Sequence, residues 1–435
     1  MISKLSPPPA VLKIARTLEK AGYETWCVGG AVRDALLGHA HLDWDLATAA
    51  RPDRIRNLFP RTVPVGIKFG TIGVLDDQGV LHEVTTFRRD VNTDGRHAEV
   101  EFGATLDEDL ARRDYTINAI AYSPSKKEIS DPFEGRADLA RGIVKAVGDP
   151  EERMREDRLR ALRAMRFAAR FGFKIDPVTW QAIIHSAPHL GRLSAERVKQ
   201  EIEKTMDQVR QPSRAFRMWQ ESGAFGTLIP HLANATAVDL ATIDKLCPPG
   251  PPRRPARRMM RLIALFAAVP PGTVLATLRD LRFSNTDAAW VSAIVTHWNA
   301  MAAEMKFSML GDDPPSDAVL RRWAAMTGRT RFASVLRLGA ARWSAELEAG
   351  IDAPSASRVA SVYRRAARIA YRDPIEVGDL AVNGRDLEKA GITGPAVGQM
   401  LRRLLESVIN DPALNSRDTL LRMVEQMRMT RDGEV

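Results

Sequence analysis

The stretch TWCVGGAVRD at residues 25–34 decides the fold of the N-terminal part of the chain. Its first four residues favour a β-strand, the Gly29-Gly30 pair marks a turn, and a helical pattern follows. Glycines at such a turn let the backbone approach a ligand, and the N–H groups that begin a helix attract an anion. Arg33 adds a guanidinium that matches phosphate oxygens. An ordinary strand–helix turn is the alternative, because neither a Walker A loop nor G-x-G-x-x-G is present.

The flanking sequence indicates a mixed domain over roughly the first 150 residues, followed by helices only. Strand-like runs occur at 71–75 and 80–87, and a helical pattern covers 11–21. Beyond residue 150 the strand signals nearly vanish. We expect one long helix over Glu151–Phe171 and another over Ser194–Gln208, which Ser194 caps. The fold class predicted from this pattern is α+β, with a mixed head and an all-helical remainder.

Composition narrows the classes of function. The chain has 435 residues, of which 45% are hydrophobic and 27% charged, as in globular proteins. Its net charge of +9 favours a polyanionic partner, above all nucleic acid. Two cysteines cannot form a disulfide framework, and the longest apolar run, 262–269, is too short for a membrane span. Without a visible signal peptide, we expect a soluble cytoplasmic protein that has no contact with a membrane.

A pair of acids after the first turn indicates a metal site. Asp43 and Asp45 are two residues apart in LDWDLAT, and such residues share one side of a strand. Two adjacent carboxylates repel each other unless a cation lies between them, and Mg²⁺ prefers oxygen ligands. Glu83, in a later strand-like run, is a candidate third carboxylate. A paired surface glutamate is an equal alternative for that residue.

Two further clusters carry arginines beside acids. In RRDYTINAI at 112–120, Arg113, Asp114 and Asn118 could bind triphosphate and ribose, with Asp114 and Asn118 on one helix face. In EDRLRALRAMRF at 156–167, Asp157 and Arg160 offer acceptors and donors that can match the Watson–Crick edge of a base. Surface charges on exposed helices are the alternative for both clusters.

Four motifs together resemble one enzyme family. GGAVRD, DWD, RRDYTINA and EDRLR occur in this order over residues 29–160. The sequence resembles the class II CCA-adding enzymes, which are tRNA nucleotidyltransferases, and the related bacterial poly(A) polymerases. The clear match covers about residues 20–210. The resemblance implies a nucleotidyltransferase head at 1–148 and helical neck, body and tail at 149–212, 213–350 and 351–435.

The resemblance also implies roles for the candidate residues. Asp43 and Asp45 would ligate catalytic Mg²⁺, with Glu83 as an open third candidate for catalysis. Asp157 and Arg160 would pair with the base of the incoming CTP or ATP, so that protein side chains stand in for a template. The complete set expected to bind the nucleotide is Gly29, Gly30, Arg33, Asp34, Arg113, Asp114, Asn118, Asp157, Arg160, Arg163 and Arg166.

The activity that the resemblance implies is template-independent addition or repair of the tRNA 3′-terminal CCA. CTP and ATP would be the substrates, and pyrophosphate would leave in a two-metal, in-line reaction. The segment at 65–71, VGIKFGT, is typical of CCA-adding members, whereas the poly(A) polymerases usually carry Gly-Arg-Arg-Phe there. An intact stretch at 90–107, matching a flexible loop of the family, disfavours a CC-only enzyme. An A-adding enzyme, a poly(A) polymerase and a catalytically silent RNA-binding protein are the alternatives.

A basic run in the predicted tail is a candidate tRNA contact. Arg364, Arg365 and Arg368 belong to a stretch without acids, and their spacing gathers them on one helix face. Such a face suits contacts with RNA phosphates, and a solvated basic face is the alternative. The expected partners are tRNA, CTP and ATP, with no obligate protein partner.

Overall fold

A computed structural model describes residues 5–39, 43–93, 98–246 and 255–432. The chain divides into two compact units, Met1–Ala233 and Asn234–Val435, called the N-terminal and C-terminal units below. The four-part division into head, neck, body and tail stays a prediction. Within the described residues, no helix combines the length and the apolar character needed to cross a membrane.

The N-terminal unit contains both strands and helices. Its strands are β1 (Thr25–Val28), β2 (Asp45–Thr48), β3 (Thr62–Gly66), β4 (Thr71–Leu75), β5 (Leu81–Thr86), β6 (Arg88–Thr93), β7 (Ala98–Phe102), β8 (Ala121–Ser123), β9 (Glu128–Ser130), β10 (Ile143–Val144) and β11 (Lys174–Ile175). Its helices are α1 (Pro9–Lys20), α2 (Gly30–Leu36), α3 (Pro52–Leu58), α4 (Leu106–Ala111), α5 (Gly135–Arg141), α6 (Pro150–Glu156), α7 (Leu159–Phe171), α8 (Pro177–Ser186), α9 (Ala195–Gln208), α10 (Pro212–Glu221) and α11 (Ala224–Leu228).

The C-terminal unit is helical throughout its described residues. Its helices are α12 (Ala237–Lys245), α13 (Pro255–Phe266), α14 (Pro271–Asp280), α15 (Asn285–Leu310), α16 (Asp317–Thr327), α17 (Arg329–Glu348), α18 (Ala356–Arg372), α19 (Gly384–Lys389), α20 (Pro395–Asn410) and α21 (Arg417–Asp432). The α+β class predicted from the sequence is therefore confirmed, with strands confined to the N-terminal unit among the described residues.

A mixed seven-stranded sheet forms the framework of the N-terminal unit. Its strand order is β3-β4-β5-β2-β1-β8-β9, and β2 and β5 run parallel while the other neighbours are antiparallel. One face packs on the core, as the alternation along β5 shows. His82, Val84 and Thr86 are buried there, whereas Leu81 is exposed and Glu83 and Thr85 are half-buried. We call the side that carries Leu81, Glu83 and Thr85 the open face.

The turn from β1 to α2 forms as the glycine pair predicts. Gly29 has φ +76°, a conformation that L side chains rarely adopt, and α2 begins at the next residue. Strand β1 is fully buried at the centre of the sheet and pairs with both β2 and β8. Its position brings the turn beside the first residue of β2, since Val28 is the partner of Asp45.

Three sequence-based predictions of local structure need correction. Glu151–Phe171 is two helices, α6 and α7, because Asp157 is extended (φ −149°, ψ 102°) and its carboxylate accepts from the Leu159 N–H. Residues 112–120 are not a regular helix: α4 ends at Ala111, and only a short 3₁₀ turn covers 116–118. Ser194 precedes α9, but its side chain makes no capping hydrogen bond.

Candidate active site

A cavity of about 370 Å³ lies over the open face of the sheet. It brings together residues that are far apart in the chain, from β2, β5, the end of α4 and the start of α7. Its walls are Val28, Asp45, Thr71, Glu83, Thr85, Arg88, Asp109, Arg112, Arg113, Asp114, Asp157, Arg160 and Arg163. Carboxylates and guanidinium groups therefore face one space, as a site for a charged ligand requires.

Asp43 and Glu83 are close enough to Asp45, the first residue of β2, for their charges to act on it. Asp43 is exposed, Trp44 is buried and Asp45 is half-buried, so the alternation of a strand starts before β2 itself. Because β2 pairs with β5 in parallel, Leu46 beside Val84, the preceding residues Asp45 and Glu83 share the open face. Burial, reinforced by the charges of Asp43 and Glu83, raises the pKa of Asp45 to about 7, and Arg113 opposes this shift.

Burial is the larger cause of this raised pKa, and repulsion from the carboxylates of Asp43 and Glu83 adds to it. A bound cation would relieve the repulsion, which is the property expected of a metal-binding pair of acids. Among the described residues, however, no set of three or more His, Cys, Asp or Glu side chains forms a ready-made metal site. The arrangement suits an ion such as Mg²⁺, which typically takes one or two carboxylates and completes its shell with water and substrate phosphates.

Arg113 is fixed between the glycine turn and a buried acid. A Cβ on Gly29 would lie 3.1 Å from Arg113 Nη1, so the glycine makes room for the guanidinium. Arg113 Nη2 donates to Asp109 Oδ2 at 3.2 Å, and Asp109 is 2% exposed. Arg113 Nε is buried and makes no hydrogen bond. Asp109 was not among the predicted site residues, although its i,i+4 spacing to Arg113 was a usable signal.

Asp114 orients a second arginine toward the cavity. Its Oδ2 accepts from Arg163 Nε at 2.8 Å and Nη2 at 2.6 Å, while its Oδ1 accepts from Asn118 Nδ2 at 2.8 Å. Burial acts to raise the pKa of Asp114, but Arg163 and Asn118 outweigh it and lower the pKa to about 2. Asp114 and Asn118, which the sequence placed on one helix face, are hydrogen-bonded to each other although residues 112–120 do not form a regular helix.

Asp157 and Arg160 face the same cavity but are not paired with each other. Asp157 Oδ2 accepts from Arg197 Nη2 at 2.7 Å. Arg160 Nη1 donates to Glu156 Oε2 at 2.6 Å, and its Nη2 donates to the Arg112 carbonyl at 3.0 Å. Each side chain is thus held by a separate partner, so the pair does not form the single planar acid–guanidinium unit suggested by the sequence.

Arg33 and Asp34 lie outside the walls of this cavity and are buried. The Arg33 guanidinium lies 5.1 Å and 4.7 Å from the ring centroids of Phe167 and Phe171. Its Nε donates to Asp34 Oδ1 at 2.8 Å, and its Nη1 donates to Asn118 Oδ1. The direct contacts of both residues with a nucleotide stay predictions, and in this structure they hold Asn118 and α7 in place.

Gly30 and Arg166 are likewise not cavity walls. Gly30 is the first residue of α2, and a Cβ at this position would make only an ordinary contact with Arg33 Nη2, at 3.5 Å. Arg166 is 3% exposed and donates through Nε to Glu201 Oε2 at 2.7 Å. The contacts of Gly30 and Arg166 with a nucleotide stay predictions.

The three candidate arginines for tRNA lie on α18 of the C-terminal unit. Arg365 Nη2 donates to Asp317 Oδ1 at 2.6 Å, and Arg368 Nη2 lies 3.7 Å from Asp317 Oδ2. Arg364 lines a cavity of about 830 Å³ in the same unit. The stretch without acids in the sequence therefore acquires an acid from α16, which lowers its net positive charge.

The stretch at 90–107 is only partly described. Strands β6 and β7 pair as an antiparallel hairpin, and Arg88 lies opposite Phe102. Residues 94–97, which include most of the predicted turn, lie outside the described residues.

Comparisons with known proteins identify the family. Residues 25–145 match the poly A polymerase head domain, and residues 172–236 match the probable RNA and SrmB-binding site of polymerase A. The CCA-adding enzyme of Geobacillus stearothermophilus is 34% identical over 437 residues, covering 98% of this chain and 99% of that protein. The chain belongs to the CCA-adding enzyme family.

Other members of the CCA-adding enzyme family are similar to this chain over nearly its whole length. The CCA-adding enzyme of Lactiplantibacillus plantarum is 33% identical over 430 residues, covering 95% of this chain and 94% of its own. The crystal structure of the Bacillus stearothermophilus CCA-adding enzyme in complex with CTP has a TM-score of 0.72 at 33% identity, covering 99% and 100% of the two chains. The Thermotoga maritima enzyme complexed with tRNA-CCA, at 19% identity and TM-score 0.66, shares the fold over 97% of this chain and 96% of its own.

Proposed function

We propose that this CCA-adding family member adds or repairs the 3′-terminal CCA of tRNA, using CTP and ATP and releasing pyrophosphate. The observation that carries the proposal is the cavity on the open face, whose walls include the carboxylates of Asp45 and Glu83 and the guanidinium groups of Arg113, Arg160 and Arg163. The arginines suit the anionic phosphates of a nucleoside triphosphate. The carboxylates mark the place where its reacting phosphorus must meet a hydroxyl.

Asp43 and Asp45 are the residues that would hold Mg²⁺. The raised pKa of Asp45 supports this assignment, because a cation beside it would stabilise the ionised carboxylate. Bound Mg²⁺ would supply charge neutralisation at the phosphates and a more acidic 3′-hydroxyl. Glu83 shares the open face and stays a candidate for assisting these acids.

The arginines of the cavity would hold the triphosphate. Arg113 is aimed by Asp109 and leaves a buried Nε without a hydrogen bond, and Arg163 is aimed by Asp114. With the triphosphate fixed, the 3′-hydroxyl of the RNA gives up its proton to solvent water, and its oxygen forms a bond to the α-phosphorus as the bond to the bridging oxygen breaks. Pyrophosphate leaves with the electron pair of that bond, so positioning by fixed cations supports the reaction.

Asp157 and Arg160 would recognise the base. Asp157 lines the cavity from the break between α6 and α7, and Arg160 lines it from the start of α7. Separate partners, Arg197 and Glu156, fix their orientations. A carboxylate provides acceptors and a guanidinium provides donors, so the two can distinguish the edges of C and A from those of G and U. A tRNA contact at Arg364, Arg365 and Arg368 and a cytoplasmic location remain predictions from the sequence.

The deciding experiment is to sequence the RNA ends that the protein makes. Purified protein is incubated with Mg²⁺, all four nucleoside triphosphates and either tRNA lacking its CCA or tRNA ending in CC, and Asp45→Asn serves as the inactive control. Ends that stop at CCA support the proposal. Long A tails would instead identify a poly(A) polymerase, a single A added only to CC ends would identify an A-adding enzyme, and no extension would indicate a silent RNA-binding protein.

A further inference from the structure

The open face of the sheet continues beyond the cavity as an exposed apolar surface. Val63, Val65 and Leu81 are 40%, 44% and 39% exposed, respectively, and we call these three side chains the apolar shelf. Val63 pairs with Gly73, and Gly73 pairs with Glu83. Because directly paired residues point to the same side of a sheet, the shelf and Glu83 lie on one face.

Gly73 permits the shelf to form. A Cβ at this position would lie 2.5 Å from Leu81 Cδ1 and 2.8 Å from Val65 Cγ2, so those two side chains close over the glycine from β5 and β3. Any larger residue would push them away from the sheet. The apolar surface is therefore built by the close packing of Val65 and Leu81 above Gly73.

The shelf is continuous with the carboxylates of the cavity. Leu81 is two residues from Glu83 on the same strand, and β5 is the neighbour of β2, which begins with Asp45. Neighbouring strands are about 4.8 Å apart, so β3 lies roughly 14 Å from β2 across the sheet. A polymer whose end reaches Asp45 from this side must cross the shelf with its last nucleotide or two.

Basic groups mark one end of the shelf. The connection from β3 to β4 carries the exposed Lys68 and the 47% exposed Phe69. Arg88, which lines the cavity, donates to the Phe69 carbonyl and so ties this connection to the site. Apolar side chains beside cations suit the base and ribose faces and the phosphates of a nucleic-acid strand.

We infer that the apolar shelf is the subsite for the 3′-terminal nucleotides of the RNA that is extended. The inference rests on the proposed function, since it assigns the position of the second substrate of that reaction. Val65 and Leu81 are positioning residues. They support the RNA whose 3′-hydroxyl reacts, and they do not contact the incoming triphosphate. A protein partner or a second copy of this chain is the competing occupant.

The test compares Val65→Ser/Leu81→Ser with the control Val80→Ser in the full-length protein. Val80 is 51% exposed but lies in the turn before β5. Loss of two aliphatic contacts is expected to raise KM for tRNA lacking CCA roughly five- to tenfold. The KM for CTP and kcat at saturating tRNA should not change, and Val65→Leu should retain the wild-type KM for tRNA.

Each other outcome overturns the inference. An unchanged KM for tRNA in the double variant, or an equal rise in KM for tRNA in Val80→Ser, would show that the shelf does not bind the RNA. A parallel rise in KM for CTP would assign these residues to the nucleotide instead. A changed sedimentation coefficient with an unchanged KM for tRNA would indicate an interface between copies. Failure of the proposed function is distinguished by wild-type protein that does not extend tRNA at all.

Discussion

Replacing Asp45 by asparagine should stabilise the metal-free protein while abolishing its activity. The pKa of Asp45 is raised from 3.8 to about 7, chiefly by burial and then by Asp43 and Glu83. Above pH 7 the folded protein must therefore carry a carboxylate that its surroundings disfavour. Asparagine has nearly the same shape and no charge. Asp45→Asn therefore removes both the cost of burying the charge and the repulsion from Asp43 and Glu83, without opening a cavity.

The size and pH dependence of the effect follow from linkage. The folded state binds the proton more tightly than the unfolded chain, so stability falls as pH rises from about 4 to 7 and then levels off. A shift from 3.8 to about 7 is about three pH units, or about 4 kcal/mol at 1.4 kcal/mol per unit. We therefore expect Asp45→Asn to be more stable than wild type by about 4 kcal/mol at pH 8 and by less than half that at pH 5.

Urea unfolding in the presence of EDTA at pH 5 and pH 8 measures this difference. Adding Mg²⁺ at pH 8 should then raise the stability of the wild type and leave Asp45→Asn unchanged, because the variant has lost a ligand. An advantage of Asp45→Asn that is equal at both pH values, or absent at pH 8, would refute the explanation. A Mg²⁺ response in the variant equal to that of the wild type would remove Asp45 from the metal site.

Four further outcomes test other parts of the protein. Asp43→Asn should abolish incorporation of labelled CTP into tRNA while the circular dichroism spectrum and Tm remain near wild type, since this side chain is exposed. Asp157→Ala combined with Arg160→Ala should allow UTP or GTP to compete in 3′-end sequencing, and strict selectivity would contradict the base-recognition role. Asp317→Asn should strengthen tRNA binding and steepen the dependence of affinity on salt concentration, because it frees Arg365 and Arg368 from this carboxylate. An unchanged slope of log affinity against log salt in a filter-binding titration would show that α18 does not contact the RNA. Arg166→Met should destabilise the N-terminal unit by about 3–5 kcal/mol in urea unfolding, because the buried Glu201 carboxylate loses its ion pair with Arg166.

The sequence predicted those parts of the site whose geometry depends on local pattern. The glycine turn, the strand that begins with Asp45 and the contact between Asp114 and Asn118 all depend on neighbours within a few residues. In contrast, the pairing of Asp157 with Arg197 could not be read from their spacing, because the two residues are 40 positions apart in the chain. The Glu156–Arg160 pair does have the i,i+4 spacing of helical ion pairs. The break between α6 and α7, where the Asp157 carboxylate accepts from the Leu159 N–H, was not predicted.

Long-range packing explains most of what the sequence did not show. The side chains of the apolar shelf come from β3 and β5, and only the pairing of these strands with β4 reveals that Val65 and Leu81 meet above Gly73. In the same way, the basic run on α18 contains no acid, but folding places Asp317 from α16 beside it. The first set of partners belongs to different strands and the second to different helices, so periodicity within one helix or strand carries no information about them.

The burial of Arg33 also bears on how this enzyme can be divided. Its guanidinium belongs to the predicted head, whereas Phe167 and Phe171, whose rings it contacts, belong to the predicted neck, as does Arg170, which binds Asp34. A fragment ending at residue 148 would expose an arginine–aspartate pair whose covering side chains had been removed. The predicted head therefore shares part of its packing with the predicted neck, and truncation at that boundary would leave Arg33 and Asp34 without these contacts.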